Sequence, residues 1–190
     1  MRIIAGEARG RKLFAPDGAE TRPTADRVRE SLFNILGTRV PDAQVLDLFA
    51  GSGALALEAI SRGAAFAALC DMSRDAARVI ERNIALMRAE DRTLFIRADW
   101  REALSRLRGR RFSLVFLDPP YRMLDVYALA AESMKALDLL TENAVLVMEH
   151  AAKSPLALPP GFEIYDERRY GDTNVALVRE QYDRSLPGQL

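Results

Sequence analysis

From about residue 44 onward, short apolar runs alternate with longer stretches whose apolar positions repeat at helical spacing. Val45 to Phe49 (VLDLF) predicts a strand, AGSG a turn, and ALALEAISRG a helix. AAFAALCD predicts a second strand and SRDAARVIERNIALMRA a second helix. TLFIRAD, FSLVFLD and NAVLVMEH continue as further strands, separated by helices to about Leu107 and through DVYALAAESMKAL. FEIYDERRY and NVALVRE close the pattern as an antiparallel hairpin around Gly171. Near-continuous apolar strands separated by helices predict a parallel sheet covered on both faces. The expected class is α/β, with a mostly parallel seven-stranded sheet and an antiparallel C-terminal hairpin.

Residues 1–40 follow a different pattern. RIIAGEARGRKLFAP predicts two short strands around a glycine turn. TRPTADRVRESLFNIL predicts a helix with Thr24 as its N-cap, and Val28, Leu32, Phe33, Ile35 and Leu36 as its apolar face. Basic side chains (Arg2, Arg9, Arg11, Lys12, Arg22, Arg27, Arg29, Arg39) outnumber acidic ones here (Glu7, Asp17, Glu20, Asp26, Glu30). The expected organisation is a basic N-terminal hairpin and helix over 1–40, readable as an RNA-binding face or as a solvated surface, a ligand-binding α/β domain over 41–182, and a flexible tail over 183–190.

Composition narrows the class. The chain has 190 residues, 49% of them hydrophobic, and 27 basic side chains balance 27 acidic ones. That suits one globular domain and argues against disorder. No apolar leader begins the sequence, and no run of roughly 18 apolar residues is present to span a membrane. Cys70 is the sole cysteine and His150 the sole histidine, so neither a disulfide nor a zinc site is expected. Cys70 reads as a buried small hydrophobe, and His150 as a capping or surface residue at a strand end. The expectation is a cytoplasmic monomer, with no metal and no membrane.

The chemistry gathers at strand ends. Asp47-Leu48-Phe49-Ala50-Gly51-Ser52-Gly53 lies at a strand-to-helix turn, where glycines let the backbone approach a ligand closely. In an open α/β sheet, the crevice beyond the carboxyl ends of the strands is where ligands bind. A pyrophosphate would be repelled by Asp47. A cationic ligand would be attracted, and S-adenosylmethionine carries both an ammonium and a sulfonium. Asp71 ends the second strand, where a carboxylate accepts hydrogen bonds from ribose hydroxyls; the alternative is a helix cap. Asp99 ends the third strand, placed to accept from an adenine amino group or to cap the next helix. Trp100 and Met72 are candidates to flank the purine, with Trp100 alternatively in the core.

Asp118-Pro119-Pro120-Tyr121 ends the fourth strand. Two prolines fix the backbone and donate no hydrogen bonds, so they make a rigid corner. An exocyclic amine on a nucleobase is a poor nucleophile because its lone pair is delocalised into the ring. Hydrogen bonds from that amine to a carboxylate and a carbonyl favour a pyramidal nitrogen, and the carboxylate is placed to take the departing proton. Tyr121 offers a face on which an extruded base can stack.

The loop and the D-P-P-Y corner together resemble the class I amino-methyltransferases. With R-I-I-A-G-E-A-R-G-R-K-L, R-P-T-A-D-R-V-R-E-S-L-F-N-I-L and G-S-G-A-L-A-L-E-A-I-S-R-G-A, the chain resembles the RsmD family of bacterial 16S ribosomal RNA guanine-N2 methyltransferases. The resemblance implies a Rossmann-like class I methyltransferase fold and S-adenosylmethionine as cofactor. It implies cofactor contacts at Asp47, Phe49, Ala50, Gly51, Ser52, Gly53, Asp71 and Asp99, with Thr24 near the amino-acid end. It also implies a catalytic corner from Asp118 to Tyr121, and RNA contacts at Arg9, Arg11, Lys12 and Arg22, with the small ribosomal subunit as partner. Arg27 and Arg29 are equally readable as structural. Three other readings stay open: an adenine-N6 methyltransferase, a Rossmann oxidoreductase, and a non-catalytic RNA-binding assembly factor.

Overall fold

A computed structural model describes residues 1–16, 23–120, 123 and 125–181, with side chains in the first helix described from Asp26 onward. The elements are α1 (Pro23–Leu36), β1 (Gln44–Asp47), α2 (Ala54–Ser61), β2 (Phe66–Cys70), α3 (Arg74–Met87), β3 (Thr93–Ile96), α4 (Trp100–Arg106), β4 (Phe112–Leu117), α5 (Val126–Ala136), β5 (Leu140–Ala151), β6 (Phe162–Tyr170) and β7 (Thr173–Glu180). The strands form one seven-stranded sheet in the order β3-β2-β1-β4-β5-β7-β6. The first five run parallel; β7 pairs antiparallel with both β5 and β6. This is the mixed α/β sheet that the alternating pattern predicts. No helix among the described residues is long and apolar enough to cross a membrane.

Alternation along the strands divides the core in two. Val45, Leu69, Leu114, Phe116 and Val147 face a layer that includes Phe33, Leu36, Leu57, Ile60 and Ile80. Leu46, Ala68, Cys70, Val115, Leu117 and Met148 face Leu104, Leu107, Ala130 and Met134 on the other side. Both faces of the central strands are therefore covered, as continuous apolar runs require. Cys70 is buried as expected; burial, then the nearby Asp47 and Asp71, push its thiol up and keep it protonated.

Three local expectations need correction. The N-terminal arms pair only at a single antiparallel bridge, Arg2 with Lys12, and form no strands. Their amides are taken instead by side chains of α2: Ile4 and Ala5 donate to the Glu58 carboxylate at 2.8 and 3.0 Å, and Ala8 donates to Ser61 Oγ at 3.0 Å. The helix α1 begins at Pro23, so Thr24 lies inside the first turn and is not the N-cap; proline suits that first position because no N–H is required there. His150 is neither a cap nor exposed. It is buried on β5, with Nδ1 2.9 Å from the Ser154 carbonyl and Nε2 3.1 Å from Glu167 Oε1.

The N-terminal segment shares the main core. Ile3, Ala8 and Leu13 join the layer built by α1 and α2. Glu58, fully buried, also receives Arg62 Nε at 2.7 Å and lies 3.8 Å from Arg29 Nε. Removing one partner of a buried ionic network leaves unpaired charge and unpaired amides. Glu58→Ala is expected to cost about 3 kcal/mol and lower the melting temperature by about 6–12 °C. Thermal unfolding checks this, with Glu58→Gln expected to lose less because its carbonyl still accepts.

Candidate active site

Strand register brings four acids to one edge. Asp47 on β1 is aligned with Leu69 on β2 and Phe116 on β4, and Leu117 on β4 with Met148 on β5. Side chains alternate along a strand, and aligned residues on parallel neighbours point the same way. Continued past the strand ends, that alternation sends Asp47, Asp71, Asp118 and Glu149 out of the same face, across β2, β1, β4 and β5 in turn. All four stand at the carboxyl ends, where an open α/β sheet forms its crevice.

Asp47 is only 2% exposed and accepts one hydrogen bond, from Ala56 N in the first turn of α2, at 3.3 Å. Burial raises its carboxyl to about 7; the Ala56 amide opposes the rise and Asp71 adds to it. The glycine loop above it is held by its own backbone and by Asp71. Ala50 N donates to the Cys70 carbonyl at 2.9 Å, and Gly51 N donates to Asp71 Oδ2 at 2.9 Å. Asp71 Oδ1 accepts from Ser73 N at 2.9 Å, so this carboxylate ties the loop to the start of α3. Gly51 and Gly53 have φ of 55° and 77°. A Cβ on Gly53 would meet Leu69 Cδ2 at 2.9 Å, whereas one on Gly51 would project into open space. The left-handed φ of Gly53, with the Leu69 methyl behind it, favours glycine there, and Gly51 leaves the backbone open to a ligand. From behind, Asn83 Nδ2 donates to the Ser52 carbonyl at 2.8 Å and to the Phe14 carbonyl at 3.0 Å. One buried amide therefore joins the N-terminal segment to the loop. Phe49 is half-buried and Ala50 buried at the loop's entry.

The side of the crevice beyond β2 and β3 is less uniform. Met72 is 71% exposed. Asp99 caps α4 by accepting from Arg101 N at 2.9 Å. Trp100 is core, with the Arg101 guanidinium 4.3 Å from its ring centroid. Of the two roles open to Trp100 in the sequence, the structure gives it the packing one.

Asp118 remains reachable from solvent, with Pro119 buried behind it and Pro120 exposed. The surrounding protein strips water from its carboxyl group; that, then Glu149, then Asp47, push the group well above the ordinary carboxylate range. Glu149 is raised by burial as well. Its carboxylate has no hydrogen bond or ion pair within the described residues. Glu149 ends the fifth strand without belonging to a motif, yet that position is the same signal that marks Asp47, Asp71, Asp99 and Asp118. Tyr121 and Arg22 lie outside the described residues, as does the side chain of Thr24.

Arg9, Arg11 and Lys12 are exposed around the N-terminal turn, and Arg11 Nη1 donates to the Leu86 carbonyl at 2.6 Å. Arg2 and Arg9 line a cleft of about 460 Å³ together with Arg27, Asp26 and Glu30. Arg29 is buried and structural, donating to Asp26 Oδ1 at 3.0 Å. A second basic groove, of about 540 Å³, lies beside β3 between Arg74, Arg78, Arg97 and Arg106, with Glu81 and Phe95. Its arginines are scattered along the sequence, on α3, after β3 and on α4, and meet only in the fold.

Comparison with known proteins shows the family and the fold. The family model described as "Conserved hypothetical protein 95" matches residues 1–179. The chain is 37% identical over 193 residues to ribosomal RNA small subunit methyltransferase D of Escherichia coli strain K12, covering 100% of this chain and 92% of that protein. It is 32% identical over 184 residues to the protein of the same name from Haemophilus influenzae, covering 94% and 93%. Among solved structures it superposes on the Escherichia coli protein yhhF with a TM-score of 0.82 at 34% identity, covering 95% of this chain and 98% of that one. It also superposes on a hypothetical protein of Thermus thermophilus with a TM-score of 0.76 at 32% identity, covering 93% and 98%. The chain belongs to the conserved hypothetical protein 95 family, the family of the small-subunit ribosomal RNA methyltransferases that its N-terminal motifs and D-P-P-Y corner resemble.

Proposed function

We propose that this chain methylates the exocyclic N2 amine of a guanine in 16S ribosomal RNA of the small subunit, using S-adenosylmethionine. The observation that carries the reading is the row of acids at one sheet edge, flanked by an open glycine loop and a proline-fixed carboxylate. The residues fit the cofactor by charge. Asp47, buried and without a cation partner among the described residues, suits a ligand that carries ammonium and sulfonium charge. Gly51 leaves space for close approach, and Asp71 stands where ribose hydroxyls are accepted. Asp99 is the candidate for the adenine amine and Met72 for the purine face. S-adenosylmethionine, when bound, supplies a methyl group as an electrophile.

The chain's own residues do the rest. Asp118 accepts one N–H of the target amine and the Pro119 carbonyl a second, which holds the nitrogen pyramidal and aims its lone pair. As the new N–C bond would form and the methyl–sulfur bond break, with its electron pair left on sulfur, the nitrogen loses a proton, and Asp118 is the candidate to receive it. Its raised proton affinity suits that acceptor role. Tyr121 is the candidate to stack on the extruded base. Orientation by the rigid corner supplies much of the rate.

Binding of RNA is assigned to the N-terminal turn. Arg9, Arg11 and Lys12 would neutralise phosphates and make binding salt-dependent. Arg9→Glu with Arg11→Glu is expected to weaken RNA binding and to flatten the slope of log affinity against log salt by roughly 1.5–2. A salt titration of RNA affinity measures it; an unchanged slope removes these residues from the interface. The reading as a whole is tested by incubating the purified protein with methyl-labelled S-adenosylmethionine and small subunits from cells lacking it. Label is expected in 16S RNA, and no incorporation contradicts the assignment.

A further inference from the structure

The D-P-P-Y corner explains how an exocyclic amine is held, but both guanine and adenine present such an amine. The second carboxylate beside it distinguishes them. Leu117 on β4 is aligned with Met148 on β5, so Asp118 and Glu149 are the next aligned positions on adjacent strands and leave the sheet on the same face. Glu149 is partly buried and has no hydrogen bond or ion pair among the described residues. A half-buried acceptor without a partner among the described residues is a group that a ligand donor would satisfy.

Strand order puts Glu149 on the side of Asp118 away from the glycine loop, and the chemistry of the base selects the atom it would meet. The sheet runs β2-β1-β4-β5, with the glycine loop and Asp71 over β1 and β2, Asp118 over β4, and Glu149 over β5. The methyl donor therefore approaches Asp118 from the β1 side, and the body of the target base extends toward β5. Next to the N2 amine on the Watson–Crick edge of guanine stands N1–H, a donor. Adenine beside its N6 amine presents N1 as a bare acceptor. A carboxylate at Glu149 attracts the first and repels the second.

We infer that Glu149 is a specificity residue that accepts a hydrogen bond from N1–H of the target guanine and excludes bases with an unprotonated N1. This rests on the guanine-N2 reading. Asp118 and Glu149 then read the two adjacent donors of guanine as a pair, while Asp118 alone holds the reacting nitrogen. A site built to bond a particular donor rejects an analogue lacking it strongly, because its own polar group is left unpaired.

The test uses an RNA substrate with either guanine or 2-aminopurine at the methylated position. 2-Aminopurine keeps the 2-amine but has a bare N1. That position and the product, N2-methylguanosine, are first established by nucleoside mass spectrometry with the wild type; a different product would refute the guanine reading at that step. The wild type is expected to prefer guanine over 2-aminopurine by about 100-fold or more in kcat/KM. Glu149→Gln presents an amide that can donate to a bare N1, and is expected to shrink that preference at least tenfold. Glu149→Ala removes the repulsion and is expected to shrink it as well. The affinity of both variants for S-adenosylmethionine should stay within about threefold of wild type, since β5 lies away from the cofactor side. The change in preference isolates the N1 contact from the O6 that 2-aminopurine also lacks. An unchanged preference in both variants, with N2-methylguanosine confirmed as product, overturns the inference; so does an equal loss on both substrates.

Discussion

Asp118→Ala is expected to slow methyl transfer about a thousandfold while leaving affinity for S-adenosylmethionine within about fivefold. The size follows from two lost contributions: orientation of the amine, and acceptance of its proton, which alone is worth roughly 10²–10⁴-fold. Asp118→Asn separates them. The amide carbonyl still accepts an N–H bond, so orientation is partly kept, but it cannot serve as the base. Asn is expected to retain more activity than Ala yet to fall at least tenfold short of Asp. Single-turnover methyl transfer at saturating cofactor is the measurement. Wild-type rates in the Ala variant would exclude the D-P-P-Y carboxylate from the chemistry.

Asp47→Asn carries the second large effect, and it works in two directions. Cofactor binding should fall by about a hundredfold or more, because the replacement is isosteric but uncharged at a buried site facing a cation. Stability of the ligand-free protein should rise. Burial lifts Asp47 from 3.8 to about 7. A carboxyl raised in this way favours folding while protonated; that contribution is complete below about pH 4 and fades as pH climbs through about 7. At pH 8 the wild type therefore holds an ionised, largely desolvated carboxylate, costing about 4 kcal/mol at most. Asparagine removes that cost and can still accept from Ala56 N. A gain of about 2 kcal/mol, or about 4–8 °C in melting temperature at pH 8, is expected, vanishing near pH 4. A related result follows for the wild type. Cofactor needs Asp47 ionised, so its affinity should drop about tenfold per unit as pH falls below 7, with one proton released on binding. Calorimetry in buffers of different ionisation enthalpy measures the proton release, and a pH-independent affinity would remove Asp47 from the cofactor's charge recognition.

The sheet was legible because its central strands are buried on both faces, so VLDLF, FAALC and FSLVFL stand out as apolar runs. Their carboxyl ends then pointed to Asp47, Asp71 and Asp118 without knowledge of any contact. Features depending on distant partners were less visible. The N-terminal arms read as strands because their composition suits strands, yet their amides bond Glu58 and Ser61, more than 50 residues away. Asn83 looks like an ordinary helical residue, but its position under Ser52 and Phe14 makes it the link between loop and N-terminus. His150 drew notice as the sole histidine, while its neighbour Glu149, one position earlier on β5, faces the crevice. Trp100 follows a candidate adenine contact in sequence, but the start of α4 turns its ring into the core. Strand direction and register, more than residue type, separate the groups that meet at the site from those that do not.

Guanine-N2 methylation of small-subunit RNA is read out by nucleoside mass spectrometry of 16S RNA from cells with and without this protein. One N2-methylguanosine is expected to disappear when the protein is absent and to return with the wild type but not with Asp118→Ala. Loss of N6-methyladenosine instead, or an unchanged set of modified nucleosides, would contradict the account.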